Sequence, residues 1–377
     1  MSQDFCEGSK WLVRYSELFL KSDPVRRQWE NALVRNIREV LPEVSIQAER
    51  GRIWLSGDVK PDLLKRVFGI VSFSETEHIR LCDLPDVLPD FCLRHGILRV
   101  KTFALRIKRV GNHSFSSHEK AVEYGNLLRE KFPHLRVNLA IPDKEIHIEI
   151  RGNEAYLYDS VISGPGGLPL GTSGTLVALV SGGIDSPVAA WMMMKRGCRV
   201  IPVFVALDSF LDDTTIERAE QVTGALALYQ PGISLVVIRD SYLVAAKKEL
   251  AARNAEKYTC IFCKRRMYRI AAAIARKENA KGIITGESVG QVASQTLDNL
   301  AVLDDAADFP VYRPLIGFDK EETVRIAKQI GTFPVSISPA TGCKAVPRGP
   351  STRAVIATIR KLEAALPASG LPLPVRD

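Results

Sequence analysis

Between Thr175 and Trp191 an unbroken apolar run, Leu176 to Val180, passes straight into Ser181-Gly-Gly-Ile-Asp-Ser186 and then into Pro187-Val-Ala-Ala-Trp191. An apolar run without alternation suits a strand covered on both faces, which confines this part of the chain to a parallel α/β sheet. The two glycines permit a tight turn with its backbone amides exposed. Ser186-Pro187 reads as an N-cap followed by proline at the first helical position, and the helix is expected to end at Gly197.

Free N–H groups at a helix N-terminus, with no Cβ to keep a ligand away, make an anion site. An ordinary strand-to-helix turn uses glycine too, so Gly182-Gly183 alone says little. The whole hexapeptide, however, resembles the pyrophosphate-binding loop of the PP-loop ATPases and differs from the GxxxxGK[ST] loop that grips a γ-phosphate. This resemblance implies cleavage of ATP to AMP and pyrophosphate, with Ser181, Gly182, Gly183, Asp185 and Ser186 around the phosphates.

Beyond this turn, strand and helix patterns alternate: Arg199 to Val205, a helix from Thr214 to Tyr229, Ser234 to Ile238, helices covering Tyr242 to Lys277, and Gly282 to Thr285. That order predicts a doubly wound parallel sheet, in which ligands bind beyond the carboxyl ends of the strands. Phe204-Val205 and Gly286 fall on that same edge, suited to an adenine and ribose. Gly286 to Thr296 reads as a polar turn opening a helix. Lys320 begins a helix reaching Ile330; a cation in the first turn opposes the helix dipole, although an exposed lysine there is also ordinary.

At 377 residues the chain should hold two or three domains. No apolar stretch approaches membrane-spanning length and the N-terminus has no basic-then-apolar signal, so a cytoplasmic protein is expected. A net charge of +8 suggests a polyanionic partner. Its distribution is more telling: Phe91 to His118 contains no acidic residue, yet carries Arg94, Arg99, Lys101, Arg106, Lys108 and Arg109. A solvated strand face would look the same.

The first 80 residues give the order β-α-β-β-α-β of a ferredoxin-like unit. Its parts are a strand from Trp11 to Leu20, a helix opened by Asp23-Pro24 with Val25, Trp29, Leu33, Ile37 and Leu41 on one face, and a hairpin around Glu49-Arg-Gly-Arg52. A short helix at Asp62 to Val67 and a strand from Ile70 to Phe73 complete it. Residues 81–163 form a second α/β unit with a basic strand from Leu98 to Val110, a helix from Ser117 to Lys131, and strands at Arg136 to Leu139, Ile146 to Ile150 and Ala155 to Val161. A glycine- and proline-rich linker, residues 164–174, leads to the C-terminal domain, 175–377.

The cysteines number seven, an odd count that argues against a disulfide framework and for thiol or metal chemistry. Cys260-Ile-Phe-Cys263 is a C-x-x-C, and Cys343 sits in the loop pattern Ala340 to Ala345; Cys6, Cys82, Cys92 and Cys198 are solitary. All six histidines precede the linker, so a Cys/His zinc site wholly within the C-terminal domain is ruled out. Three thiolates suit either a redox relay or an iron–sulfur cluster with one iron left open; two helical cysteines sharing no ligand would show the same spacing.

Together these features resemble the tRNA 4-thiouridine synthetases, the ThiI family. The likeness spans Arg14-Tyr-Ser-Glu17 with Leu20-Lys21, Val67-Phe-Gly-Ile70, Gly164-Pro-Gly-Gly-Leu-Pro169, Ser181 to Ser186, Gly286-Glu-Ser288, Gln291 to Thr296 and Arg313-Pro-Leu-Ile316. It implies an N-terminal ferredoxin-like domain, a THUMP domain that holds the tRNA acceptor end, and the PP-loop domain. It also implies nucleotide contacts at Leu179, Val180, Phe204, Val205, Lys264, Gly286 and Gln295, essential roles for Asp185 and Lys320 in adenylation, and sulfur handling by Cys343. ATP with Mg²⁺, a tRNA substrate thiolated at position 8, and a homodimer follow from the same likeness. The chain ends soon after the PP-loop domain, so the expected form lacks a rhodanese-like domain, and sulfur must come from sulfide or a separate persulfide carrier. Cys260, Cys263 and Cys343 are then expected to supply three sites of a [4Fe–4S] cluster, with a persulfide and disulfide relay as the alternative. Thiolation or amidation of another tRNA base, or tRNA binding without catalysis, are the competing functions.

Overall fold

The computed structural model describes residues 10–15, 22–49, 51–339, 342–366 and 373. Cys6, residues 16–20 of the expected first strand, Lys21, and Ala340 and Thr341 of the Cys343 loop lie outside them. The chain forms two compact units, Met1–Gly166 and Gly167–Asp377. Among the described residues no helix is long and apolar enough to cross a membrane.

The first unit contains β1 (Lys10–Arg14), α1 (Asp23–Val40), β2 (Ser45–Glu49), β3 (Arg52–Ser56), α2 (Pro61–Leu64), β4 (Ser72–Arg80), α3 (Leu84–Arg94), β5 (Thr102–Val110), α4 (Ser117–Lys131), β6 (Arg136–Val137), β7 (Lys144–Arg151), β8 (Glu154–Tyr158) and β9 (Ile162–Ser163). The strands make one sheet in the order β2-β3-β1-β4-β8-β7-β5-β6, with β9 also on β4. β4 is longer than its sequence pattern suggested. It pairs with β1 through Ser72 to Thr76 and with β8 through Glu77 to Arg80, joining the two halves of the unit.

One face of this sheet carries two apolar cores. Leu33 and Ile37 of α1 pack on Trp11, Val13, Ile53 and Phe73, while Leu88 and Phe91 of α3 and Leu128 of α4 pack on Phe103, Ile146, Ile148 and Leu157. The sequence reading assigned no helix to the segment of α3, which holds Pro85 and Pro89. Pro85 falls in the first turn, where its missing N–H costs nothing, and the helix accommodates Pro89 one turn later.

The other face closes on itself. β3 and β7 are separated in the sheet by β1, β4 and β8, yet Arg52 Nε and Nη2 donate to Glu149 at 3.0 and 3.1 Å. Arg151 Nε donates to the same carboxylate at 2.8 Å, and the rings of Trp54 and Tyr156 stack with centroids 4.0 Å apart. Such contacts require a strongly coiled sheet, the usual outcome of strand twist in a wide one. Glu149 is fully buried. Burial alone would raise its pKa, but Arg52 and Arg151 outweigh it and hold the carboxyl below the ordinary glutamate value.

The second unit contains β10 (Thr175–Leu179), α5 (Asp185–Lys195), β11 (Arg199–Ala206), α6 (Asp213–Ala227), β12 (Val236–Arg239), α7 (Tyr242–Ala252), α8 (Thr259–Lys277), β13 (Ile283–Ile284), α9 (Leu297–Asp304), β14 (Val311–Tyr312), α10 (Lys320–Ile330), α11 (Phe333–Ser336) and α12 (Ile356–Ala365). Its sheet is parallel throughout, in the order β12-β11-β10-β13-β14. Strand order reverses between β10 and β13, so a crevice opens at their carboxyl ends. Val177, Val203 and Ile283 fill the core against Ile270, Ala271 and Ile274 of α8.

The stretch expected to be a linker is tightly packed. A Cβ on Gly164 would stand 2.3 Å from the Ile70 carbonyl oxygen, and one on Gly167 2.1 Å from that of Lys195, so these positions require glycine. Glu149→Ala should cost about 3–5 kcal/mol by leaving two arginines without their buried counter-charge, read as an earlier urea transition. Since the native carboxyl titrates below the unfolded one, its stabilisation is present at neutral pH and is lost as pH falls below about 4.3. A transition unchanged by the substitution would show that the clamp does not hold the face closed.

Candidate active site

The loop after β10 is closed by its own hydroxyls. Ser186 Oγ accepts the Ser181 N–H at 2.8 Å, and Ser181 Oγ accepts the Gly183 N–H at 3.3 Å. The expectation of Ser186 as N-cap is thereby corrected: its hydroxyl turns back to Ser181, α5 starts two residues earlier than expected, at Asp185, and Pro187 takes the third helical position. Pro187 still lies where no intrahelical N–H bond is needed. The helix stops as expected, with Gly197 at a φ of 85° just beyond it. Two of the loop amides are committed to serine oxygens, so fewer face a ligand than the glycines alone suggested.

Gly286, at the end of β13, is pressed onto the start of this helix. A Cβ there would lie 2.6 Å from the Ser186 nitrogen and 2.7 Å from the Asp185 carbonyl carbon. The same crevice edge gathers Asp185 and Lys320. Lys320 Nζ donates to Asp185 Oδ1 at 2.6 Å, and Gln291 Nε2 donates to Oδ2 at 2.9 Å. Lys320 is the first residue of α10, whose N-terminus is capped reciprocally by Asp319 and Glu322. The unfavourable placement of a cation there is offset by the Asp185 carboxylate.

Beside the loop lies a mostly apolar cavity of about 330 Å³ lined by Leu179, Val180, Ser181, Phe204, Val205 and Lys264, and also by Cys260, Cys263 and Cys343. The carboxamide oxygen of Gln295, which is outside that lining, is buried with no hydrogen-bond partner among the described residues. These residues fit a purine nucleotide: flat apolar walls, a lysine, and a polar loop at one end.

Residues 171–367 match the family model described as thiamine biosynthesis protein (ThiI), residues 10–74 the ThiI ferredoxin-like domain, and residues 92–159 the THUMP domain. The chain belongs to the ThiI family. A protein of Methanothermobacter thermautotrophicus named probable tRNA sulfurtransferase is 43% identical over 353 residues, covering 90% of this chain and 89% of that one. One of the same name from Methanobrevibacter smithii is 41% identical, covering 91% and 92%. Among solved structures, a 4-thiouridine synthetase in complex with RNA and with bound ATP is 33% identical with a TM-score of 0.84, covering 96% of this chain and 95% of that one.

Cys260 and Cys263 lie on the first turn and a half of α8, facing the cavity that Cys343 enters from its loop. Burial, reinforced by the Cys343 thiol, pushes both pKa values up, Cys263 most. Among the described residues no three His, Cys, Asp or Glu side chains are placed to hold a metal ion. A four-iron cluster, however, takes thiols that line a cavity rather than ones gathered on one ion, and Cys260, Cys263 and Cys343 all line this cavity. Of the solitary thiols that are described, Cys92, pushed up to about 12 by burial, and Cys198 are buried, whereas Cys82 is exposed.

The basic run is less uniform in space than in sequence. Arg94 pairs with Glu77, and Arg106 donates to Glu145 at 2.7 Å and to the Leu139 carbonyl at 2.8 Å, so acids from neighbouring strands enter a stretch that has none of its own. Strand alternation puts Arg106 and Lys108 on one face of β5 and Arg109 on the other, the face of Phe103 and Leu105. Arg99, Lys101, Lys108 and Arg109 are exposed.

Sequence reasoning missed Glu287. Its carboxylate, buried behind the cavity, accepts from Lys264 Nζ at 3.0 Å, Tyr268 Oη at 2.6 Å, Thr285 Oγ1 at 3.1 Å and Arg313 Nε at 2.8 Å. Burial favours protonation, but Lys264, Tyr268 and Arg313 prevail and hold its pKa down. The motifs Gly286-Glu-Ser288 and Arg313-Pro-Leu-Ile316 each carried part of this network, and nothing local in the sequence pairs them.

Proposed function

We propose that this chain is an ATP-dependent tRNA sulfurtransferase that adenylates uridine at position 8 and replaces O4 by sulfur, giving 4-thiouridine. The observation that carries this reading is the meeting of Asp185 and Lys320 at the switch point, beside the Ser181–Ser186 loop and a cavity shared by a nucleotide-shaped wall and three thiols. Membership of the ThiI family, and likeness over nearly the whole chain to a 4-thiouridine synthetase with bound ATP, support it.

In the first step uracil O4 attacks the α-phosphorus of ATP and the bond to the pyrophosphate oxygen breaks. Charge accumulates on the leaving pyrophosphate, where the remaining loop amides and the Lys320 ammonium are placed to stabilise it. Phe204, Val205, Leu179 and Val180 would hold the base, Gly286 gives the ribose close approach, Gln295 offers its free oxygen, and Lys264 adds positive charge. In the second step sulfur attacks C4, and O4 departs with AMP. Mg²⁺ requires only one or two carboxylates besides phosphate oxygens, and Asp185 is the carboxylate that would hold it by exchanging Gln291 or Lys320.

Cys260, Cys263 and Cys343 would hold a [4Fe–4S] cluster through three of its irons; when bound, it supplies an open iron on which inorganic sulfide can be held. The residues' own task is then to keep that sulfur within the cavity that receives the activated base. The same three thiols permit a second reading, in which the protein is metal-free. Cys343 then carries a persulfide whose outer sulfur goes to C4, and Cys260 or Cys263 closes a disulfide with Cys343, to be reduced afterwards by an external thiol. The exposed basic side chains Arg99, Lys101, Lys108 and Arg109, with Arg94 and Arg106 already partly neutralised, would meet the tRNA phosphates at the THUMP domain.

Asp185→Ala and Lys320→Ala should each abolish tRNA-dependent pyrophosphate release and 4-thiouridine formation, measured by nucleoside analysis. Thermal stability should fall by no more than about 1 kcal/mol, because their ion pair is solvent-accessible; normal turnover in either variant removes that residue from the mechanism. Joint replacement of Lys101 and Lys108 by alanine should weaken tRNA binding and make the slope of log K against log salt shallower by roughly 1–2, with ATP binding intact. An unaltered slope would move the RNA contact elsewhere. Anaerobically purified protein should contain iron and acid-labile sulfide, lost on changing any of the three cysteines to alanine. Full thiolation by iron-free protein would instead establish the disulfide relay.

A further inference from the structure

Lys264 reaches the cavity from the second turn of α8, on a long and flexible stem that by itself fixes no position for its ammonium. Glu287 fixes one. Three of the four donors to its carboxylate, Tyr268, Thr285 and Arg313, converge on Oε2, while Oε1 receives Lys264. Arg313 is held in turn by Asp304, at 2.5 Å from Nη2, and also donates to Tyr268 Oη at 3.1 Å. The side chain of Glu287 is 6% exposed, so this arrangement is shielded from water. Its backbone is no freer, because the preceding residue is Gly286, lodged against Asp185 and Ser186.

We propose that Glu287 is a positioning residue of the nucleotide site, a carboxylate anchored through Oε2 that uses Oε1 to hold the Lys264 ammonium where a bound adenine nucleotide meets it. The inference rests on the nucleotide reading of the cavity given above and assigns to Glu287 no contact with the nucleotide itself. Because the same backbone segment carries the Gly286 contact and the anchored carboxylate, the lysine and the phosphate loop keep a fixed separation. A lysine without this anchor would have to be ordered at the moment of binding, and affinity would suffer.

The test is a double-mutant cycle in the full chain, with equilibrium ATP binding as the readout. Glu287→Gln removes the charge at nearly constant shape, and Lys264→Met removes the ammonium while keeping the stem. Glu287→Gln should weaken ATP binding by roughly tenfold in the presence of Lys264, and by less than about twofold in the Lys264→Met background, since non-additivity marks residues that act through one another. Glu287→Asp draws the carboxylate back from Lys264 while keeping the charge that Arg313 needs, and should show the same dependence on Lys264; it serves if the glutamine variant does not fold. Equal weakening in both backgrounds would reveal a purely structural residue and overturn the proposal, as would unchanged ATP affinity in folded Glu287 variants. Lys264→Met protein that binds ATP as tightly as the parent would overturn it too. Parent protein that binds no ATP would instead refute the nucleotide reading on which it rests.

Discussion

The crevice of the second unit depends on one close contact, the backbone of Gly286 against the first turn of α5. The reversal of strand order between β10 and β13 makes the segments that follow these paired strands diverge, and any side chain at position 286 would force them further apart. With no Cβ in the way, the segment after β13 lies directly on Asp185 and Ser186. From that fixed point the Ser181–Ser186 loop is closed by its hydroxyls, Gln291 reaches the free oxygen of Asp185, and Glu287 turns inward to the polar network behind the cavity. The site is therefore backbone-defined first, with charges added to a frame that sterics have already set.

What could be read from the sequence was what is encoded locally. The strand, turn and helix around Ser181 were legible because the apolar run, the glycines and the proline act within a few residues of one another. So was α4, whose N-terminus is closed by the Ser116 and Glu119 capping box. The helix α3, whose prolines are harmless where they fall, went unassigned. The turn of the Ser186 hydroxyl toward Ser181 was not legible either, since serine before proline has a more common meaning as a cap. Contacts between distant segments were the least accessible. The acid partners of Arg94 and Arg106 come from β4 and β7, and the partners of Glu287 come from α8, β13 and the segment after β14. No period or spacing relates such positions.

The two units settle buried charge in different ways. In the first, Glu149 is enclosed by two arginines on a sheet face folded over itself, a structural clamp. In the second, Glu287 has a comparable set of donors, but one of them, Lys264, stands at a cavity wall. Low exposure and a depressed carboxyl pKa are common to both, so neither property separates a structural carboxylate from one that serves a site. What separates them is whether a partner has somewhere else to point.

Asp185 and Lys320 are 135 residues apart in the chain. During synthesis the phosphate loop emerges long before the helix that carries its lysine, and strands β11 to β14 of the second sheet are made in the interval. A nascent or truncated polypeptide can thus possess the loop and the cavity's first walls while lacking the cation opposite Asp185. On the role proposed for Lys320, completion of the domain would act as a checkpoint: a half-made protein would lack the group needed to activate a uridine.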